Sequence, residues 1–148
     1  MTEDIIIEPA TSEDMDAVAE LEKEAFSDPY SLKMLNDTMC TCSDTIYVAR
    51  TSEKVAGYII FQKAGDEGEL LRVAVSSEMK RKGIGAKLVD AMINNLSESK
   101  VTDVFLEVRE TNEAAIQLYK NKNFQIVATR KDYYRNPVEN AIIMKRGL

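Results

Sequence analysis

The sequence predicts one α+β domain: a mixed, mainly antiparallel sheet of seven strands flanked by four helices. Three observations carry this. Short apolar runs rich in β-branched residues are interspersed with stretches whose apolar positions recur every three or four residues, in the order β-α-α-β-β-β-α-β-α-β-β. The strands in mid-chain follow one another through short turns, which pairs them antiparallel. A single later strand–helix–strand unit requires a parallel, right-handed crossover. At 148 residues, 45% of them apolar, the chain is long enough to bury one core of this kind.

The elements follow in order. Ile5-Ile6-Ile7 is a first strand, ended by Pro9. Thr11 caps a helix with acids in its first turn and Met15, Val18, Leu21, Ala25 and Phe26 on its apolar side. Residues 27–30 break it, and Ser31 caps a second helix through Leu32, Leu35 and Met39. Residues 46–49 and 55–62 are strands joined by a hairpin at Ser52-Glu53. Gly65-Asp66-Glu67-Gly68 then turns the chain into a fourth strand ending near Val75. A helix follows from Ile84 to about Leu96, then a fifth strand over 101–109. Asn112 caps a helix containing Ala115, Ile116 and Tyr119. Residues 124–128 and 141–144 are the last strands, separated by a polar, aromatic connection over 130–140.

Charge and residue content narrow the function. The formal net charge of −6 argues against non-specific nucleic-acid binding, which needs a basic footprint. The longest apolar run, 55–61, is far short of the roughly 20 residues of a membrane span. The opening Met1-Thr2-Glu3-Asp4 lacks the regions of a signal peptide, so a cytoplasmic location is expected, with a monomer or weak homodimer. The absence of histidine excludes a Ser-His-Asp or Cys-His centre and any histidine base. Cys40 and Cys42 are too few for a zinc site, and no metal is expected.

Against this acidic background one stretch is basic. Lys80-Arg81-Lys82-Gly83-Ile84-Gly85-Ala86 lies where the fourth strand hands over to the third helix. The first N–H groups of a helix have no intrahelical partner and its dipole is positive there. Gly83 and Gly85 let a ligand approach the backbone, so a pyrophosphate could bind. By itself the stretch reads equally as a solvated basic turn. It lacks G-x-G-x-x-G and G-K-[ST], so neither a Rossmann site nor a P-loop fits.

A strand, a loop of the form Q/R-x-x-G-x-G/A and a helix resemble motif A of the GNAT acetyltransferases, with Lys80 where Gln or Arg is usual. Leu106-Glu107-Val108-Arg109-Glu110-Thr111-Asn112-Glu113-Ala114-Ala115-Ile116-Gln117-Leu118-Tyr119 is similar to the LEVR-x-SN-x-x-A-I-x-LY signature of the N-terminal protein acetyltransferases in that family. Arg130-Lys131-Asp132-Tyr133-Tyr134 and Glu139-Asn140-Ala141-Ile142-Ile143-Met144 resemble its R-x-x-YY and ED-A-x-x-M segments. Phe26, Pro29, Tyr30 and Ser31 resemble its F-x-x-PWS entry, with Tyr for Trp, and Asn123-Phe124 stands for Gly-Phe.

The resemblance implies the GNAT fold, with the fourth and fifth strands splayed apart at a bulge, and acetyl-CoA as co-substrate. It implies that the backbone of Val73, Ala74 and Val75 lies along the pantetheine and supplies oxyanion donors. The amides from Arg81 to Ala86 hold the pyrophosphate, more than the Lys80 side chain does, and Asn112 also contacts acetyl-CoA. A terminal amine has a pKa of about 7.7–8.0 and must lose a proton to attack the thioester. Glu107, sharing a strand face with Phe105 and Arg109, matches the family's proton acceptor; by itself it also reads as a solvent-facing strand residue, and burial would strengthen it as a base. Tyr119 matches the proton donor to the leaving thiolate, and by itself reads as a core tyrosine beside Ile116 and Phe124. Pro29, Tyr30, Tyr133, Tyr134 and Glu139 fall in the segments that form a peptide groove in similar enzymes. The acceptor implied is a protein or peptide N-terminus, a ribosomal-protein alanine among them, with direct transfer and no acyl-enzyme. A small amine, broader protein N-termini, or non-catalytic acyl-CoA binding are the other readings.

Overall fold

The chain is described here from a computed structural model covering residues 4–148; Met1, Thr2 and Glu3, part of the segment from which location was read, lie outside the described residues. Seven strands form one sheet: β1 (Ile6–Pro9), β2 (Asp44–Arg50), β3 (Val55–Ala64), β4 (Glu67–Val75), β5 (Asp103–Arg109), β6 (Gln125–Tyr134) and β7 (Glu139–Gly147), in the order β1-β2-β3-β4-β5-β7-β6. Every neighbouring pair is antiparallel except β4–β5. The helices are α1 (Met15–Ala25), α2 (Leu32–Met39), α3 (Ile84–Glu98) and α4 (Glu113–Asn121).

Local chemistry sets the helix starts. Asp14 accepts from the Thr11 amide at 2.9 Å, Ser31 Oγ from the Met34 amide at 3.1 Å, and Asn112 Oδ1 from the Ala115 amide at 3.2 Å. Each satisfies a donor that the first helical turn leaves free. Asn123 takes φ 68°, the left-handed backbone that asparagine tolerates, and ends α4 ahead of β6.

Several strand ends differ from the expectation by one to three residues, β7 for example running Glu139–Gly147, and two differences have a structural reason. The turn after β3 is only Gly65-Asp66, and Gly68 lies inside β4. A Cβ on Gly68 would meet Leu96 Cδ1 at 2.7 Å, so this glycine serves close strand–helix packing. Strand β6 runs on to Tyr134, through half of the segment expected to be a connection. Its register with β7 slips between Ile126 and Ala128 and again between Arg130 and Tyr134, and Asp132 has φ 52°. Bulges and exposure along the strand erase the apolar alternation that marks strands in sequence.

Helices α1 and α2 cover one face of the sheet, Met15, Val18, Leu21 and Leu35 packing on Val48, Tyr58, Ile60 and Ala74. Helices α3 and α4 cover the other, with Ile84, Leu88, Met92, Leu96 and Tyr119 against Ile59, Phe61, Val104, Leu106 and Val108. Each such fully buried apolar side chain contributes on the order of 1.5–3 kcal/mol.

The sheet opens at its centre. Strands β4 and β5 pair only from Glu67–Asp103 to Leu70–Leu106. Beyond that, β4 stays with β3 up to Val75–Gly57 and β5 stays with β7 up to Arg109–Ala141. The bulge expected among Val73–Val75 sits earlier: Ile60 pairs with Arg72 and Phe61 with Leu70, leaving Leu71 as the extra residue.

Candidate active site

The opening between β4 and β5 exposes backbone. The Ser76 amide bonds to the Ala56 carbonyl at 2.7 Å, so by antiparallel alternation Ala74 and Arg72 also bond towards β3. The N–H groups of Val73 and Val75 therefore face the gap, free to pair with an extended ligand as a strand would. Ala74 is oriented the other way.

Beyond β4 the chain reaches the basic loop. Lys80, Arg81 and Lys82 are exposed, Arg81 has φ 68° and Gly83 φ 75°, and α3 begins at Ile84 without a capping side chain. The amides of Ile84, Gly85 and Ala86 are thus left for an anion at the positive end of a 15-residue helix. Nothing lies within 4 Å of a Cβ on Gly83, whereas one on Gly85 would touch Leu118 at 3.4 Å and Val75 at 3.9 Å. Gly83 opens the backbone to a ligand, and Gly85 faces the protein. Asn112 is exposed and acts as the α4 cap.

The proposed acid–base pair lies on opposite faces of the opening. On β5, Val104, Leu106 and Val108 are buried under α3 and α4, and Phe105, Glu107 and Arg109 project to the other side. Glu107 is only partly buried: about a quarter of its side chain is exposed, and Arg130 lies 3.6 Å away. Tyr133 hydrogen-bonds its carboxylate, and that bond, ahead of burial, raises the Tyr133 pKa. Glu107 opens into a cleft of about 240 Å³ lined also by Gln62, Glu69, Phe105, Arg130 and Ile143. Tyr119 lies on the α4 side, 5% exposed, its ring edge-on to Phe124 at 5.9 Å. Burial, and then the neighbouring Tyr134, push its phenol well above the usual tyrosine range. It is the core tyrosine of one reading, and burial keeps its phenol neutral.

Two lips rise on this face of the sheet, beyond the residues that line the cleft. One is the α1–α2 loop, with Pro29 exposed and Tyr30 half-buried. The other is the β6–β7 hairpin. Tyr133 and Tyr134 are edge-on at 5.1 Å, and burial, with the Glu107 charge next, pushes Tyr134 up to about 12. Glu139 spends both oxygens inside the protein: Oε1 accepts from Arg109 at 3.2 Å and Oε2 from the Thr111 amide and hydroxyl at 2.7 and 2.6 Å. In this arrangement it ties the hairpin to β5 and to the segment leading into α4. Sequence reasoning missed Arg72, Arg109 and Glu22 as lip anchors and Arg130 beside Glu107. Arg109 carried a signal, since it shares the Glu107 face; the bulge that orients Arg72 leaves none. Among the described residues no cluster of three or more His, Cys, Asp or Glu could hold a metal ion. No helix among the described residues is long and apolar enough to cross a membrane.

Comparison with known proteins agrees with this geometry. A ribosomal protein bS18-alanine N-acetyltransferase of Haemophilus ducreyi is 31% identical over 143 residues, covering 94% of this chain and 97% of that one. The crystal structure of the ribosomal-protein-S18-alanine N-acetyltransferase of Escherichia coli superposes with a TM-score of 0.90 at 29% identity, over 97% of this chain and 94% of that one. Ard1 of Thermoplasma volcanium gives a TM-score of 0.90 at 28% identity, over 97% of each chain. Residues 15–124 match the acetyltransferase (GNAT) family, and with the splayed sheet, the uncapped basic helix start and the relatives above, the chain belongs to that family.

Proposed function

We propose that this chain transfers the acetyl group of acetyl-CoA to the N-terminal α-amine of a protein, by direct attack in a ternary complex. The alanine terminus of a ribosomal protein is the first acceptor class to test, because the Haemophilus relative carries that activity in its name. The observation that carries the reading is the opening between β4 and β5, with Glu107 on the cleft side and Tyr119 on the helix side. Two reactants can enter from opposite faces and meet in the gap.

The residues fit acetyl-CoA. The gap-facing amides of Val73 and Val75 suit an extended pantetheine, and the uncapped α3 start with Gly83 suits a pyrophosphate. When bound, acetyl-CoA supplies an acetyl group already activated as a thioester. Glu107 takes the proton from the terminal ammonium, directly or through a water, and holds it away from the new amide bond. The β4 amides hydrogen-bond the oxyanion that forms during transfer. Tyr119, kept neutral, donates a hydrogen bond to the departing thiolate. Tyr30, Tyr133 and Tyr134 line the acceptor's entry. A cytoplasmic setting goes with this reading: Cys40 and Cys42 are unpaired, as thiols are in a reducing compartment.

The test is incubation with acetyl-CoA and a panel of N-terminal peptides, read by mass spectrometry. Acetylation of peptides beginning with alanine is expected. Acetylation of free spermidine with no peptide modified would overturn the acceptor assignment.

A further inference from the structure

The bulge at Leu71 changes which face of β4 the next residue occupies. Gly68 and Leu70 face α3, with Leu70 in the core under it. Unbroken alternation would send Arg72 into that core as well. With Leu71 inserted, Leu71 and Arg72 both come to the cleft face, and Val73 returns to the α3 side.

There Arg72 is 17% exposed and its guanidinium joins three elements. It lies 3.2 Å from Glu22 Oε1 on α1 and donates to the Asp28 carbonyl at 2.6 Å. It also stacks over the rings of Phe26 and Tyr30 at 4.1 and 4.3 Å. Glu22 is completely buried; Oε1 also accepts from the Tyr30 amide at 2.7 Å, and Oε2 from the Tyr58 hydroxyl on β3. The Nε of Arg72 is buried without a partner, so the guanidinium is set by the two rings and the loop rather than by complete hydrogen bonding. The loop itself, Ser27, Asp28 and Pro29, is exposed and has no core of its own.

Arg109 on β5 makes the matching arrangement on the opposite lip. It stacks on Tyr134 at 4.5 Å, pairs with Glu139, and donates to the Arg135 and Pro137 carbonyls at 2.8 and 3.0 Å. Each of the two diverging strands thus sends one arginine to one lip, and each arginine is held by a glutamate and stacked on a tyrosine of that lip.

We propose that Arg72, held by Glu22, which Tyr58 fixes in turn, is a positioning residue for the acceptor: it fixes Tyr30 and the α1–α2 loop on the cleft face and so sets affinity for the acceptor peptide, without touching the acetyl-CoA side. This rests on the acceptor assignment above. A buried ion pair is seldom the most stabilising choice for such a site, which agrees with a role in placing the loop.

The test combines kinetics with amide hydrogen exchange on the full chain. Arg72→Lys keeps the charge and loses the fork and the stacking plane. The expected result is an acceptor KM raised about tenfold, the loss of roughly one charge-assisted hydrogen bond. The KM for acetyl-CoA should change less than about twofold on the same reasoning, and the Tyr30 amide should exchange faster. Should Arg72→Lys fold poorly because lysine cannot reproduce the geometry of the pair with buried Glu22, Glu22→Gln with Arg72→Gln removes both charges, and the same split in KM is expected. An unchanged acceptor KM with unchanged Tyr30 exchange overturns the proposal, as does a parallel rise in both KM values. If the wild-type chain acetylates no peptide, the acceptor assignment fails, whereas the Tyr30 exchange result still decides whether Arg72 holds the loop.

Discussion

Replacing Glu107 by glutamine separates chemistry from stability, because the structure makes the two effects very different in size. Glutamine keeps the volume and an acceptor oxygen for Tyr133 but cannot take up a proton. The pair lost is with Arg130, 3.6 Å away, the two side chains 24% and 57% exposed. A screened pair of this kind is worth about 0–1 kcal/mol. For a chain of this length, that shifts Tm by less than about 4 °C. Loss of a positioned base costs about 10²–10⁴ in rate, or roughly 3–5 kcal/mol in the barrier. The assay is the initial rate of CoA release with an alanine-terminated peptide from about pH 6 to pH 10, alongside thermal unfolding. The deficit should be greatest where the terminal amine is protonated and should shrink above its pKa of about 8. Undiminished transfer at neutral pH with a folded variant would refute the base assignment. A deficit independent of pH would show that Glu107 acts in some other way.

Other predictions follow from single positions. Tyr119→Phe keeps the edge-on contact with Phe124 but lacks the donor, so kcat should fall about 10²-fold with Tm nearly unchanged, measured by the same assay. Gly83→Ala puts a side chain at φ 75° where space is open, so strain of about 1–2 kcal/mol falls on the anion loop; the KM for acetyl-CoA should rise and the acceptor KM should not. The pH dependence of unfolding should have two limbs. Hydrogen bonds from Arg50 hold Asp14 below its ordinary pKa of 3.8, so this stabilisation is present above that value and lost as pH falls through the lower folded one. Burial holds Tyr119 and Tyr134 above their ordinary 10.0, so their contribution is full below pH 10 and is lost as pH rises towards the Tyr134 value of about 12. Tm measured across that range, with Asp14→Asn flattening the acid limb, checks both.

The parts of this protein that were legible in sequence are those set by local rules. The helix caps at Ser31 and Asn112, the left-handed Asn123 and the alternation that places Glu107 opposite Leu106 all depend on neighbours a few residues apart. The parallel β4–β5 pairing followed from the single crossover. What stayed hidden depends on register. A one-residue bulge at Leu71 is invisible in a run of apolar residues, yet it decides that Arg72 meets Glu22 and Tyr30 instead of α3. The bulged, exposed β6 shows no period, so its length was underestimated. The partners of Glu139 come from Arg109 and Thr111, some 30 residues away, and no local pattern could have said that its carboxylate was already engaged.

The most direct measurement uses one peptide in two forms. A synthetic alanine-terminated peptide containing an internal lysine is offered with its N-terminus free or blocked, and fragment mass spectrometry locates the acetyl group. An acceptor entering between Tyr30 and the Tyr133–Tyr134 hairpin to reach Glu107 predicts acetylation of the α-amine in the free form and none in the blocked form. Acetylation of the lysine in both forms, at comparable rates, would contradict it.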